Sequence, residues 1–242
     1  MTRTRAAAAP TLDVPPAPAT KWDTVATTRW GRYTTEVVED VIAAACDLAG
    51  EPGAALEVGC EGGRWSRLLA NGGWEMTCTD IDQDALSICQ RRVPGAHCIF
   101  VSPDATTLPC ESSAMRLVLC LEVFPLIESD WFAHEAGRVL QDNGVLVGVT
   151  LNRTSLRGMF VRAKERLRGE SNFYNVSYAQ WRRGMRQAGF EVALERGYCW
   201  FPFSRASNSV FVPFFVRLER WLGLDRIPSF SPWVAFVARK SR

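Results

Sequence analysis

A chain of 242 residues, 47% of them hydrophobic, is long enough for one sizeable core with extensions, and 28 basic against 26 acidic side chains give no global signal for nucleic acid. With only His97 and His134, a histidine-rich metal centre is excluded, and the eight cysteines show no CxxC pair and no histidine at ligand spacing. They read as small buried hydrophobes in a reducing cytosol, no metal is expected, and the absence of a transmembrane-length apolar run predicts a soluble, cytoplasmic protein.

Residues 1–20 are rich in Arg, Ala and Pro with little to bury, and they read as a disordered arm. Residues 21–33 set Trp22, Trp30 and Tyr33 ahead of a helix that Thr34 or Thr35 would cap and that Gly50 with Pro52 would end. A first strand at 55–58 runs into the turn 59–63, and the helix after it stops at Asn71-Gly72-Gly73. The pattern then repeats. Strand 75–79 ends at Asp80, Asp82 caps the following helix, and strand 97–101 leads to the loop Ser102-Pro103-Asp104-Ala105. A fourth strand, 117–121, ends in Glu122; Ser129 would cap the next helix, and Asp142-Asn143-Gly144 would close it before strand 145–151.

Beyond Asn152 the rhythm changes. A basic helix at 153–168 precedes a helix capped by Ser177 and a strand at 190–199; an aromatic-rich stretch then leads to a last strand at 233–238. Alternating short apolar strands and helices predict an α/β fold with a doubly wound, mostly parallel sheet. Residues 21–242 form its domain, and 152–232 contain an insertion or lid on the acceptor side.

The glycine turn is the most informative stretch. A dinucleotide fold asks for G-x-G-x-x-G, but Glu61 and Arg64 stand where the second and third glycines would be, and Glu57 and Glu61 would oppose a pyrophosphate. A cationic ligand suits the site better. Leu56-Glu57-Val58-Gly59-Cys60-Glu61-Gly62-Gly63 resembles motif I, (D/E)-x-G-x-G-x-G, of the class I S-adenosylmethionine-dependent methyltransferases, with Glu61 in place of the middle glycine. The resemblance implies a seven-stranded Rossmann-like sheet and S-adenosylmethionine as cofactor. Its methionine part would lie along Glu57, Gly59, Cys60, Glu61 and Gly63, with Glu61 expected to avoid the φ values that glycine alone takes readily.

The resemblance further implies that Asp80, beside Ile81, accepts from the ribose hydroxyls, and that Asp104 and Ala105 meet the adenine. Leu121 and Glu122 would lie near the methyl group, with Trp30 and Tyr33 as a lid. For these positions a helix cap, a loop turn and core aromatics are the respective structural alternatives. The histidine that often follows strand four in this family is absent: Glu122-Val123-Phe124-Pro125 stands there.

Methyl transfer requires alignment more than a nucleophilic residue, so no catalyst is assigned. Glu122 is the best-placed carboxylate for a base, with ordering of the cofactor or loop as its alternative role. The rings of the insertion suit a small-molecule, glycan or lipid-linked acceptor, methylated at oxygen by family analogy, or at carbon or nitrogen. The basic face of 157–168 suits an anionic acceptor or peripheral contact with a membrane, or is a solvated surface. A non-catalytic scaffold of the same fold is the reading from a different class.

Overall fold

The computed structural model describes residues 18–169 and 174–241. Most of the expected N-terminal arm, 1–17, lies outside them. Thr20 forms a capping box with Asp23 at the start of α1 (Lys21–Ala26), and the Pro18 carbonyl accepts from Arg92 at 2.7 Å.

Strands β1 (Ala54–Val58), β2 (Glu75–Asp80), β3 (His97–Phe100), β4 (Met115–Cys120), β5 (Leu140–Leu151), β6 (Phe190–Tyr198) and β7 (Trp233–Lys240) form one sheet in the order β3-β2-β1-β4-β5-β7-β6. Pairing is parallel from β3 to β5, and β7 runs antiparallel to both β5 and β6. The strand order reverses between β1 and β4, and the crevice beyond their carboxyl ends is where ligands of such sheets bind.

Alternation along the strands builds two cores. Ala55 of β1 and Val147 of β5 face the layer holding α2 (Arg29–Ala49), α3 (Arg64–Asn71) and α4 (Gln83–Arg92). Leu56 and Leu146 face α6 (Phe132–Val139) and α8 (Tyr178–Gln187). Both faces are covered, as a parallel sheet requires.

Several boundaries differ from the sequence reading. Thr28, not Thr34 or Thr35, caps α2 by accepting from Gly31 N at 3.0 Å; Thr34 Oγ1 instead donates to the Gly31 carbonyl, and Thr35 Oγ1 accepts from Arg64. The helix therefore starts early enough to include Trp30 and Tyr33. Asp142-Asn143-Gly144 does not separate a helix from a strand but lies within β5, where Asn143 takes φ 63° beside a register shift in the β4–β5 pairing. Ser129 Oγ accepts from Phe132 N at 3.3 Å, while the N-cap position of α6 is Trp131. A short helix, α5 (Phe124–Ile127), follows β4, with Pro125 in its first turn.

Candidate cofactor and acceptor site

The turn after β1 is fixed by backbone bonds. Gly59 N and Cys60 N both donate to the Thr79 carbonyl, at 2.8 and 3.0 Å, tying the turn to β2. Gly59 takes φ 71°, and a Cβ there would lie 2.5 Å from Val123 Cγ2, so only glycine fits. Gly63, left-handed at the N-terminus of α3, packs so closely on Cys89 that a Cβ would meet its Sγ at 2.6 Å.

Glu61 does not avoid the glycine-like region. It takes φ 48°, held there because its N–H donates to Asp80 Oδ2 at 2.7 Å. Asp80 Oδ1 accepts from Asp82 N at 3.0 Å, so the carboxylate that ends β2 is oriented from both sides and retains free lone pairs.

This turn forms one end of a cavity of about 730 Å³, within the roughly 300–1,000 Å³ of small-molecule sites. Trp30, Glu57, Gly59, Cys60, Glu61, Asp80, Ile81, Asp104, Ala105, Leu121 and Glu122 all line it; Gly63 and Tyr33 do not. Gly63 acts through the path of the turn. Tyr33 points away from the cavity: its hydroxyl donates to the Glu219 carboxylate of α9 (Val212–Trp221) and accepts from Cys199 N at 3.3 Å. Burial pushes the Glu219 carboxyl up to about 7. Tyr33→Phe leaves that buried carboxyl without its donor, and a loss of about 1–3 kcal/mol is expected in urea unfolding; an unchanged midpoint would contradict the pairing.

Electrostatics divide the cavity. The cofactor-turn end is acidic, with Glu61, Asp80 and Asp104. Glu57 is buried and accepts from Ser66 Oγ, and burial pushes its carboxyl up to about 8. The other end holds Arg157 and Arg205 among Trp22, Trp233 and Phe203. Arg205 pairs with Glu122 at 2.9 Å and lies over the rings of Trp22 and Trp233, at 4.8 and 4.7 Å. Burial raises the Glu122 carboxyl, opposed by Arg205 and Arg64. Three non-glycine residues lining the cavity, Glu61, Glu122 and Cys199, have positive φ, which places strained backbone at this site.

The sequence pattern did not single out Trp22, Arg64, Arg205 or Trp233 as site residues. Arg64 follows the motif directly and reaches Thr35 Oγ1 at 2.8 Å, so its position was a usable signal. Arg205 and Trp233 come from distant segments, and no local pattern marks them. Cys60, Cys78 and Cys89, far apart in sequence, bring their sulfurs within 4.8 Å of one another behind the turn.

These features fit S-adenosylmethionine. Gly59 lets the turn pass close against Val123 on the cavity wall, Asp80 is an oriented acceptor at the strand end, and the carboxylates of Glu61, Asp80 and Asp104 suit a ligand carrying cationic groups.

Sheet order and cavity define an α/β protein of the class I methyltransferase type. Residues 55–144 match the methyltransferase domain family, and the sheet is that of the class I methyltransferase fold. It is 28% identical over 164 residues to an uncharacterised methyltransferase-like protein of Schizosaccharomyces pombe, a match covering 65% of this chain and 60% of that protein. The fold is shared with the geranyl diphosphate C-methyltransferase of Streptomyces coelicolor A3(2) (TM-score 0.60, 14% identity, 86% of this chain and 80% of that one). It is shared also with an S-adenosylmethionine-dependent methyltransferase of Mesorhizobium loti (TM-score 0.58, 14% identity, 82% and 96%). The Streptomyces coelicolor structure is a complex with S-adenosyl-L-homocysteine. No helix among the described residues is long and apolar enough to cross a membrane.

Proposed function

We propose that the protein transfers a methyl group from S-adenosylmethionine to oxygen on a small-molecule or lipid-linked acceptor that carries an anionic group. The observation behind this reading is the division of one cavity into an acidic end at the glycine turn and an end where Arg157, Phe203 and Arg205 of the insertion meet Trp22 and Trp233. When bound, the cofactor supplies an electrophilic methyl group on a sulfonium.

The chain supplies binding, orientation and exclusion of water. Asp80 and the Gly59–Gly63 turn would hold the cofactor, and Asp104 with Ala105 would face its base. Trp22, Trp30 and Phe203 provide apolar walls for an acceptor, and Arg157, whose guanidinium among the described residues reaches only the Cys199 carbonyl at 3.5 Å, is suited to meet its negative group. Glu122, its carboxyl raised by burial, is suited to take the proton of an acceptor hydroxyl.

Carbon is the second acceptor reading, because the Streptomyces coelicolor neighbour is by its name a C-methyltransferase. The test is incubation with methyl-labelled S-adenosylmethionine and a panel of carboxylated and phosphorylated phenols and isoprenoids, followed by mapping of the label. Label on oxygen supports the proposal, and label on carbon replaces it with the second reading. Cofactor binding without transfer to any acceptor would favour the scaffold reading.

A further inference from the structure

Helix α7 (Leu156–Arg168) turns its apolar stripe outward. Leu156, Phe160, Ala163 and Leu167 recur at the spacing of one helix face, yet Leu156, Phe160 and Leu167 are 82%, 72% and 89% exposed. The opposite face packs inward through Gly158, the helix's buried residue, and Val161. Helix α9 repeats the arrangement, with Phe214 and Trp221 61% and 81% exposed while Val212 and Val216 are buried. Single exposed apolar side chains are ordinary, but an outward stripe running the length of a helix marks an interaction surface.

Charge indicates what covers this surface. Helical spacing puts Lys164 and Arg168 on one side of the α7 stripe and Arg166 on the other, against one acid, Glu165, while Arg162 turns to the packed side and donates to the Tyr174 carbonyl at 3.2 Å. Among the described residues, none of Lys164, Arg166 and Arg168 has an ion-pair partner. An apolar stripe with basic margins is the form of a helix that lies in a lipid interface. A second copy of the chain is a poor occupant, since a symmetric contact through this face would set basic margin against basic margin.

Both helices also adjoin the acceptor end of the cavity. Arg157 of α7 lines it, and so does Phe203, whose ring packs on Phe215 of α9 at 5.6 Å.

We propose that α7 docks the protein on an anionic phospholipid surface, with its apolar stripe in the headgroup layer and the basic margins at the phosphates. The acceptor end of the cavity then lies at the lipid boundary. Docking stands independently of methyl transfer.

The experiment is sedimentation of the whole chain with vesicles of phosphatidylglycerol and phosphatidylcholine, and with phosphatidylcholine alone, beside a measurement of its size in solution. The parent is expected to sediment with the anionic vesicles and to be released by salt. The joint variant Leu156→Gln, Phe160→Gln, Leu167→Gln should weaken partitioning by at least roughly tenfold. Replacing Lys164, Arg166 and Arg168 by Gln should weaken it about fivefold per charge. These side chains are exposed and outside the cavity, so both variants should bind S-adenosylhomocysteine as the parent does, which separates loss of docking from loss of fold. A parent that stays in the supernatant with anionic vesicles would overturn the proposal, as would variants that sediment equally with it. A parent dimer that the apolar variant converts to monomer, with no vesicle binding by either, would assign the face to a second copy instead.

Discussion

Asp80→Ala is expected to weaken S-adenosylhomocysteine binding by roughly 10- to 150-fold, the equivalent of about 1.5–3 kcal/mol for hydrogen bonds to a charged group. Two effects combine. The variant removes an acceptor-only side chain at the end of β2, and it also frees Glu61 N, which donates to Asp80 Oδ2 at 2.7 Å. That bond holds Glu61 at φ 48°, so without it the turn loses a restraint on its strained residue. Asp80→Asn separates the two contributions, because an amide oxygen can still accept from Glu61 N while the charge is gone. The asparagine variant should fall between parent and alanine. Calorimetric affinities equal to the parent's in a folded alanine variant would remove Asp80 from the site.

The second large effect concerns pH. The buried carboxyl of Glu57 is pushed up from 4.5 to about 8, with burial as the principal cause. Below about pH 4.5 the group is neutral in both folded and unfolded chains and costs nothing. Between there and about pH 8 the unfolded chain ionises while the native protein keeps the proton, so stability contributed at low pH is lost as pH rises. Above about pH 8 both states are ionised and the loss is constant. Glu57→Gln keeps an acceptor for Ser66 Oγ and removes the titration. Its stability relative to the parent should therefore rise across this window, by up to roughly 5 kcal/mol in total. Urea unfolding at several pH values measures this directly. A difference that stays flat from acid to alkaline pH would show that Glu57 titrates normally.

The local parts of this fold could be read from sequence because local rules decide them. The strand–turn–helix at Glu57–Gly63, the end of β2 at Asp80 and the Asp82 cap each depend on a few neighbouring residues, and the structure places them as read. Where distant segments compete, the reading went astray. Tyr33 stands one helical turn from Trp30, and both are aromatic; only Glu219, brought in from α9, determines that one leaves the cavity wall while the other lines it. The start of α2 moved to Thr28 because its hydroxyl, not those of Thr34 and Thr35, is free to accept from the helix. Glu61 shows the same limit in reverse: its intrinsic preference predicts negative φ, and the Asp80 carboxylate, 19 residues away in sequence, overrides it.

The acceptor end was legible only as composition. The rings and basic residues of 152–232 announced a wall of some kind, but the pairing of Arg205 with Glu122 and its position over Trp22 and Trp233 depend on the antiparallel insertion of β7 between β5 and β6. No periodicity encodes that strand order. The outward stripe of α7 is likewise readable as amphipathic from sequence, while its direction is set by packing alone.

Titration of the purified chain with S-adenosylmethionine and S-adenosylhomocysteine by calorimetry, with NADH as control, decides whether the glycine turn and Asp80 hold a methionine-derived cofactor. Micromolar binding of both methionine-derived ligands, no binding of NADH, and weakened binding in Asp80→Ala are expected. A folded protein that binds neither methionine-derived ligand, or that prefers the dinucleotide, would contradict that assignment.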